Sequence, residues 1–331
     1  MRTISLSSNF FEGVIDLRQG DGWIQPLRLV DRDRPLYHEA FVERAVMSGG
    51  CRLRFRTDAT TIQLTVEPES AEAPRLFDLT TDDARLATAT LAPQASAVRF
   101  ESLPAGDKVL ELWFPTHRET RIRGLAVDDG ARLEPAPDRR PRWITYGSSI
   151  THCAAAHSPS RTWPAVAARL RGLNVTSLGY GGQCHMDTLV ARIIRDRPAA
   201  FISLKLGINM MGATATLRTY RPQAIAMVRL IREKHPRTPI ALVSPIISPP
   251  REETPGTTGM TLRIMRQELE AAVDRLRQCG DNRVFYVDGL KLFGPDLVAD
   301  YLPDLLHPNG DGYEIMGRHA ATHILDRLMA I

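Results

Sequence analysis

WITYGSSITHC, residues 143–153, runs from four largely apolar residues into a glycine, two serines and, soon after, a histidine. An apolar run this short, hydrophobic on both faces and stopped by Gly-Ser-Ser, reads as a strand of a buried parallel sheet feeding a tight turn. Four more such runs follow: NVTSLGY (174–180), AAFISLKLG (199–207), TPIALVSPI (238–246) and RVFYVDG (283–289). Between and after them lie segments with helical periodicity at 162–172, 187–197, 216–235, 261–279 and 311–329. Strands alternating with amphipathic helices predict a three-layer, flavodoxin-like α/β domain with a five-stranded parallel sheet over 143–331. In such a sheet the chemistry gathers at the carboxyl ends of the strands.

Those ends carry the polar residues. The first run closes on Gly147-Ser148-Ser149, the second on Gly179-Tyr180-Gly181-Gly182, the third on Gly207-Ile208-Asn209; Asp304-Leu305-Leu306-His307-Pro308 precedes the last helix. A serine hydroxyl needs a general base, and that base needs a partner to fix its tautomer. His307 and Asp304 suit the two roles, with Pro308 holding His307 extended at the mouth of the last helix. The tetrahedral oxyanion needs preorganised donors, and the Gly182 amide, the Asn209 side chain and the Ser149 amide are of the right kind.

With these blocks in order, the chain resembles the SGNH (GDSL-type) hydrolase superfamily over roughly 143–331. YGSSIT resembles the block that usually reads Gly-Asp-Ser, so the resemblance implies Ser149 as nucleophile and Ser148 in the place of the family's aspartate, a residue that supports the local loop. LGYGGQ implies Gly182 as an oxyanion donor, LGIN implies Asn209, and DLLHP implies Asp304 and His307. His152 lies on the first helical turn after the nucleophile, which turns its ring away from Ser149; a supporting or substrate-lining role is expected for it and for His185 rather than that of base.

The first half has a different texture. In CRLRFRTDATTIQLTV (51–66) the apolar positions alternate, and short segments at 76–81, 96–103, 108–115 and 120–127 continue the pattern between polar turns. This predicts an all-β, jelly-roll-like sandwich over 1–132. Trp23, Tyr37 and Trp113 can stack on sugars or pack a core; the core is the simpler expectation. LEPAPDRRPR (133–142), with three prolines and several charges, reads as an irregular linker. A sandwich ahead of an SGNH domain resembles the arrangement in some carbohydrate esterases and in acyltransferases that tailor polyketides, where it is similar to carbohydrate-binding modules.

Composition narrows the function classes. The net charge is +4, but 38 of the 42 basic residues are scattered arginines, with no nucleic-acid motif. No run reaches the roughly 20 apolar residues that span a bilayer, and the first residues lack the apolar core of a signal peptide, so a cytoplasmic location and no membrane partner are expected. The four cysteines form no CxxC, and Cys153, Cys184 and His185 lack a chelating spacing, so neither a disulfide framework nor a metal is expected. His319 and His323, in HAATH, lack the glutamate of a metalloprotease helix and read as a solvated face. SPPREETPGTTG (248–259) reads as a mobile lip or a plain disordered connection. The resulting expectation is a cofactor-free esterase acting on a small-molecule ester that can carry a sugar. Transfer of the acyl group to a sugar or polyketide hydroxyl is the alternative, and a non-catalytic binding protein the second. The motifs assign no oligomeric state.

Overall fold

In the computed structural model, which describes residues 1–69, 73–212 and 214–330, the chain divides into two compact units, 1–140 with 158–160, and 141–157 with 161–331.

The first unit is a sandwich of two antiparallel six-stranded sheets. One sheet runs Asp16–Gly20, Trp23–Leu27, Ile122–Val127, Ile62–Val66 and Ala97–Phe100, with Arg2–Ile4 added to Ile122–Val127. The other runs Leu133–Pro135, Arg52–Thr57, Lys108–Trp113, Arg75–Thr80 and Arg85–Leu91, with Phe11–Glu12 added to Arg52–Thr57. Alternation decides which face is buried: Ile62, Leu64 and Val66 enter the core while Gln63 and Thr65 stay half exposed. Phe55, Leu53, Leu110 and Leu112 meet them from the opposite sheet. The 3₁₀ turn Asp31–Leu36 and the helix Glu39–Ala45 have no counterpart in the sequence reading. Tyr37 stacks on Phe41 at 4.9 Å, and Trp113 is buried with Nε1 donating to Thr80 Oγ1 at 3.1 Å. Trp23, half exposed, lies 5.1 Å from the Arg121 guanidinium. Asp78, fully buried, accepts from Ser158 Oγ, Ser160 Oγ and Ser160 N–H at 2.6, 2.6 and 2.7 Å.

The stretch 133–142 is more ordered than its composition suggests. Leu133–Pro135 pairs with Arg52–Thr57 as an edge strand, a position proline tolerates. Asp138 is buried and accepts from Arg140 Nε at 2.9 and 3.0 Å, while Arg140 also reaches Glu111. Burial pushes the Asp138 carboxyl up, but Arg140 and Arg52 outweigh it and hold it below the usual range. Opposite charges meeting with good geometry let this charged stretch fold down.

The second unit is a five-stranded parallel sheet with spatial order Asn174–Gly179, Arg142–Gly147, Phe201–Lys205, Ile240–Val243, Val284–Val287. The first strand in sequence, Arg142–Gly147, lies between the second and the third, so connections leave it in opposite directions. That reversal opens a crevice at the carboxyl ends of the strands Arg142–Gly147 and Phe201–Lys205. Trp163–Leu170 packs on Gly310–Ala320, and Tyr220–Arg232 packs between Thr188–Arg195 and Leu262–Gln278. Three of these helices start on a side-chain cap: Thr162 accepts from Ala165 N–H, Thr261 from Ile264 N–H and Asn309 from Gly312 N–H. Among the described residues no helix is long and apolar enough to cross a membrane.

Candidate active site

The turn after Arg142–Gly147 enters the one-turn helix Ser149–His152. Ser148, 1% exposed, caps this helix, its hydroxyl accepting from Ile150 N–H at 3.3 Å. Thr151 and His152 N–H both donate to the Ser148 carbonyl at 3.0 Å, and Trp163 Nε1 donates to the Ile150 carbonyl at 2.9 Å. Ser148 is therefore spent on local structure, and Ser149 stands next to it, half exposed, at the first helical position, where the backbone N–H has no intrahelical acceptor. A β-carbon at Gly179 would sit 2.3 Å from His152 N, so only glycine lets the next strand end this close to the helix.

The second turn, 304–307, comes from the far end of the chain. Asp304 Oδ1 accepts from His307 N–H at 2.6 Å and Leu306 N–H at 3.0 Å, while Oδ2 accepts from His307 Nδ1–H at 2.7 Å. Leu305 makes this wrap possible by adopting φ +58°. Because Nδ1 donates to the carboxylate, Nε2 is left with a lone pair, and it lies 2.8 Å from Ser149 Oγ. Burial pushes the Asp304 carboxyl up, but the three donors from His307 and Leu306 outweigh it and hold it below the ordinary carboxylate range. The structure thus brings Ser149, His307 and Asp304 into one relay able to take a proton from a hydroxyl.

The third component lies beside the nucleophile. A β-carbon at Gly181 would stand 3.8 Å from Ser149 Cβ, which places the loop 180–183 against it. Gly182 adopts φ +73°, natural for glycine, with open space where a side chain would be. Cys184 N–H donates to Asn209 Oδ1 at 3.0 Å. That bond fixes which end of the Asn209 amide faces the loop and leaves its NH₂ as a donor. The arrangement supplies N–H groups of the kind that hold an oxyanion.

His152 is 6% exposed, and a β-carbon at Gly181 would lie 3.5 Å from its Nδ1, so it packs beneath the loop 180–183. His185, half buried, lies with Nε2 3.1 Å from the Gly182 carbonyl and Nδ1 3.1 Å from Thr214 Oγ1, so it braces that loop. Cys153 and Cys184 are free, buried thiols; burial pushes Cys184 up to about 12. Among the described residues no cluster of three or more His, Cys, Asp or Glu could hold a metal. His319 departs from the solvated-face reading, as it is half buried with Nδ1 donating to the Leu292 carbonyl at 3.0 Å. The stretch 248–259 is pinned rather than loose. It holds the 3₁₀ turn Pro249–Arg251, Ser248 bonds to Leu305, and Thr258 Oγ1 donates to the Met211 carbonyl at 3.3 Å. Composition hid this because the partners are backbone carbonyls, which carry no sequence signal.

Residues 141–324 match the GDSL-like lipase/acylhydrolase family, and residues 9–123 match the N-terminal domain of SsfX3. No curated protein sequence matches the chain. Among solved structures, the salicylyl-acyltransferase SsfX3 of a tetracycline biosynthetic pathway is 34% identical, with TM-score 0.91 over 98% of this chain and 97% of that one. Two family-two carbohydrate esterases share the fold. That of Clostridium thermocellum, in complex with cellohexaose, has 17% identity and TM-score 0.67 over 86% of this chain and 94% of its own. That of Cellvibrio japonicus has 16% identity and TM-score 0.67 over 99% and 98%. With more than half of its length matched and an SsfX3-like sandwich ahead of the strand–turn–helix site, the chain belongs to the GDSL-like lipase/acylhydrolase family, whose enzymes act on acyl groups.

Proposed function

We propose that Ser149 takes an acyl group from an ester and passes it to an oxygen nucleophile, a hydroxyl of a small molecule being the acceptor. The observation that carries this reading is the contact of Ser149 Oγ with His307 Nε2 at 2.8 Å, backed by the bond of His307 Nδ1–H to Asp304. His307 removes the Ser149 proton as Oγ attacks the acyl carbon. Asp304 keeps Nδ1 protonated and stabilises the imidazolium that forms. The oxyanion is held by the N–H groups of Ser149 and Gly182 and by the Asn209 amide. Its collapse expels the alcohol, which leaves with the proton from His307. The acceptor hydroxyl then repeats the sequence in reverse, giving its proton to His307 as it attacks the acyl-enzyme. Likeness to the salicylyl-acyltransferase SsfX3 along both units, at 34% identity, supports acyl transfer over hydrolysis.

Water as the acceptor is the second reading, favoured by the openness of the relay: the Asp304 side chain is 54% exposed and that of His307 34%. Incubating the protein with 4-nitrophenyl acetate and a panel of phenols, polyols and sugars, and separating acylated acceptor from free acetate, decides between the two. Transfer predicts that one acceptor class is acylated faster than acetate is released; acetate alone across the panel leaves hydrolysis. Asn209→Ala is expected to lower kcat by about 10²–10³-fold with little change in KM, because its amide acts on charge that develops after binding. A loss confined to KM would remove Asn209 from the oxyanion site.

A further inference from the structure

The loop after Ile240–Val243 carries no catalytic motif, yet its hydrogen bonds lead to the base. Ser248 is 1% exposed. Its hydroxyl donates to the Leu305 carbonyl at 2.6 Å and accepts from Arg251 Nη1 at 3.0 Å. Its N–H donates to Glu252 Oε1 at 3.0 Å, and both Nη atoms of Arg266 clamp the Glu252 carboxylate at 2.6 and 2.9 Å. Arg266 is itself fixed by the Pro245 and Ile246 carbonyls at 3.1 and 3.2 Å. Partly buried charge-assisted bonds therefore converge on Ser248, Glu252 at its N–H and Arg251 at its hydroxyl, and that hydroxyl ends on the turn between Asp304 and His307.

Leu305 is the residue of that turn least able to hold its conformation alone. At φ +58° its β-carbon crowds the backbone, a state that persists in leucine only where the surroundings impose it. The same conformation lets Leu306 N–H, His307 N–H and His307 Nδ1–H converge on Asp304. We infer that Ser248 is a positioning residue for the base: its hydroxyl holds the Leu305 carbonyl, and with it the left-handed turn that aims His307 Nε2 at Ser149. This rests on the reading of His307 as base. Small errors of aim are costly in a proton relay, whereas a loop that merely packs would affect stability without touching turnover.

The test is steady-state kinetics of the full chain with 4-nitrophenyl acetate. Ser248→Ala is expected to lower kcat about tenfold with KM held within about twofold. Glycine occupies positive φ unaided, so in a Leu305→Gly background the same Ser248→Ala change is expected to cost less than about twofold. Arg251→Ala, at a half-exposed position, removes only the donor that orients the Ser248 hydroxyl; it is expected to lower kcat about two- to threefold and serves where Ser248→Ala does not fold. An unchanged kcat in Ser248→Ala, an equal loss in both backgrounds, a loss confined to KM, or, where Ser248→Ala does not fold, a wild-type kcat in Arg251→Ala overturns the inference. Ser149→Ala and His307→Ala run alongside. If either keeps wild-type turnover, the relay reading fails; if both are inactive while Ser248→Ala matches wild type, only the positioning role fails.

Discussion

Ser149→Ala is expected to lower kcat for an aryl ester at least about 10⁴-fold and to leave no acyl adduct on the protein by mass spectrometry. The neighbouring hydroxyl sets the control. Ser148 is buried and spent as a helix cap, with its Oγ already accepting from Ile150 N–H. Ser148→Ala is expected to cost about 1 kcal/mol of stability, read as a lower denaturation midpoint, while turnover and the adduct persist. Ser149 can be removed without unfolding anything comparable, because its side chain is half exposed and bonds to His307. An adduct that survives Ser149→Ala and disappears in Ser148→Ala would assign attack to the other serine.

His307→Ala is expected to produce a loss of similar size, at least about 10⁴-fold in kcat, partly restored by added imidazole. The mechanism asks for a lone pair at Nε2, and the Asp304 bond at Nδ1 is what keeps it there. The pH dependence follows from the Asp304 shift. Its carboxyl is held below the ordinary range, so it is ionised in the native state at pH values where an aspartate of the unfolded chain begins to protonate. The stability it contributes is present above about pH 4 and is lost only as pH falls through the depressed native value. The denaturation midpoints of wild type and Asp304→Asn, followed against pH, check this. A stability difference between the two that holds above about pH 4 and shrinks below it agrees with the Asp304 shift, whereas a difference that does not change as pH falls below about 4 would remove it.

Much of the fold was legible because it rests on periodicity. Runs apolar on both faces, such as Ile240–Val243, belong in the middle of a covered parallel sheet, and alternation in Ile62–Val66 belongs to a sandwich face. The prolines and charges of 133–142 misled because composition is blind to partners: Arg140 pairs with Asp138 nearby and with the distant Glu111, and pairing is what lets these charges be buried. The same blindness covers 248–259.

By itself the sequence determined the candidate groups and the order of the blocks that carry them, since residue type sets what a side chain can donate, accept or attack with. It also favoured Ser149 over Ser148 and His307 over His152. Only the tertiary structure decided how they meet. The carboxyl ends of parallel strands bring Ser149 and His307 to hydrogen-bond distance across 158 positions of chain. Cys184 N–H sets the face of the Asn209 amide. A leucine takes a conformation suited to glycine, with a hydroxyl from a distant loop on its carbonyl. The last two turn on backbone groups, identical in every residue, so no reading of side chains reveals which of them will be used.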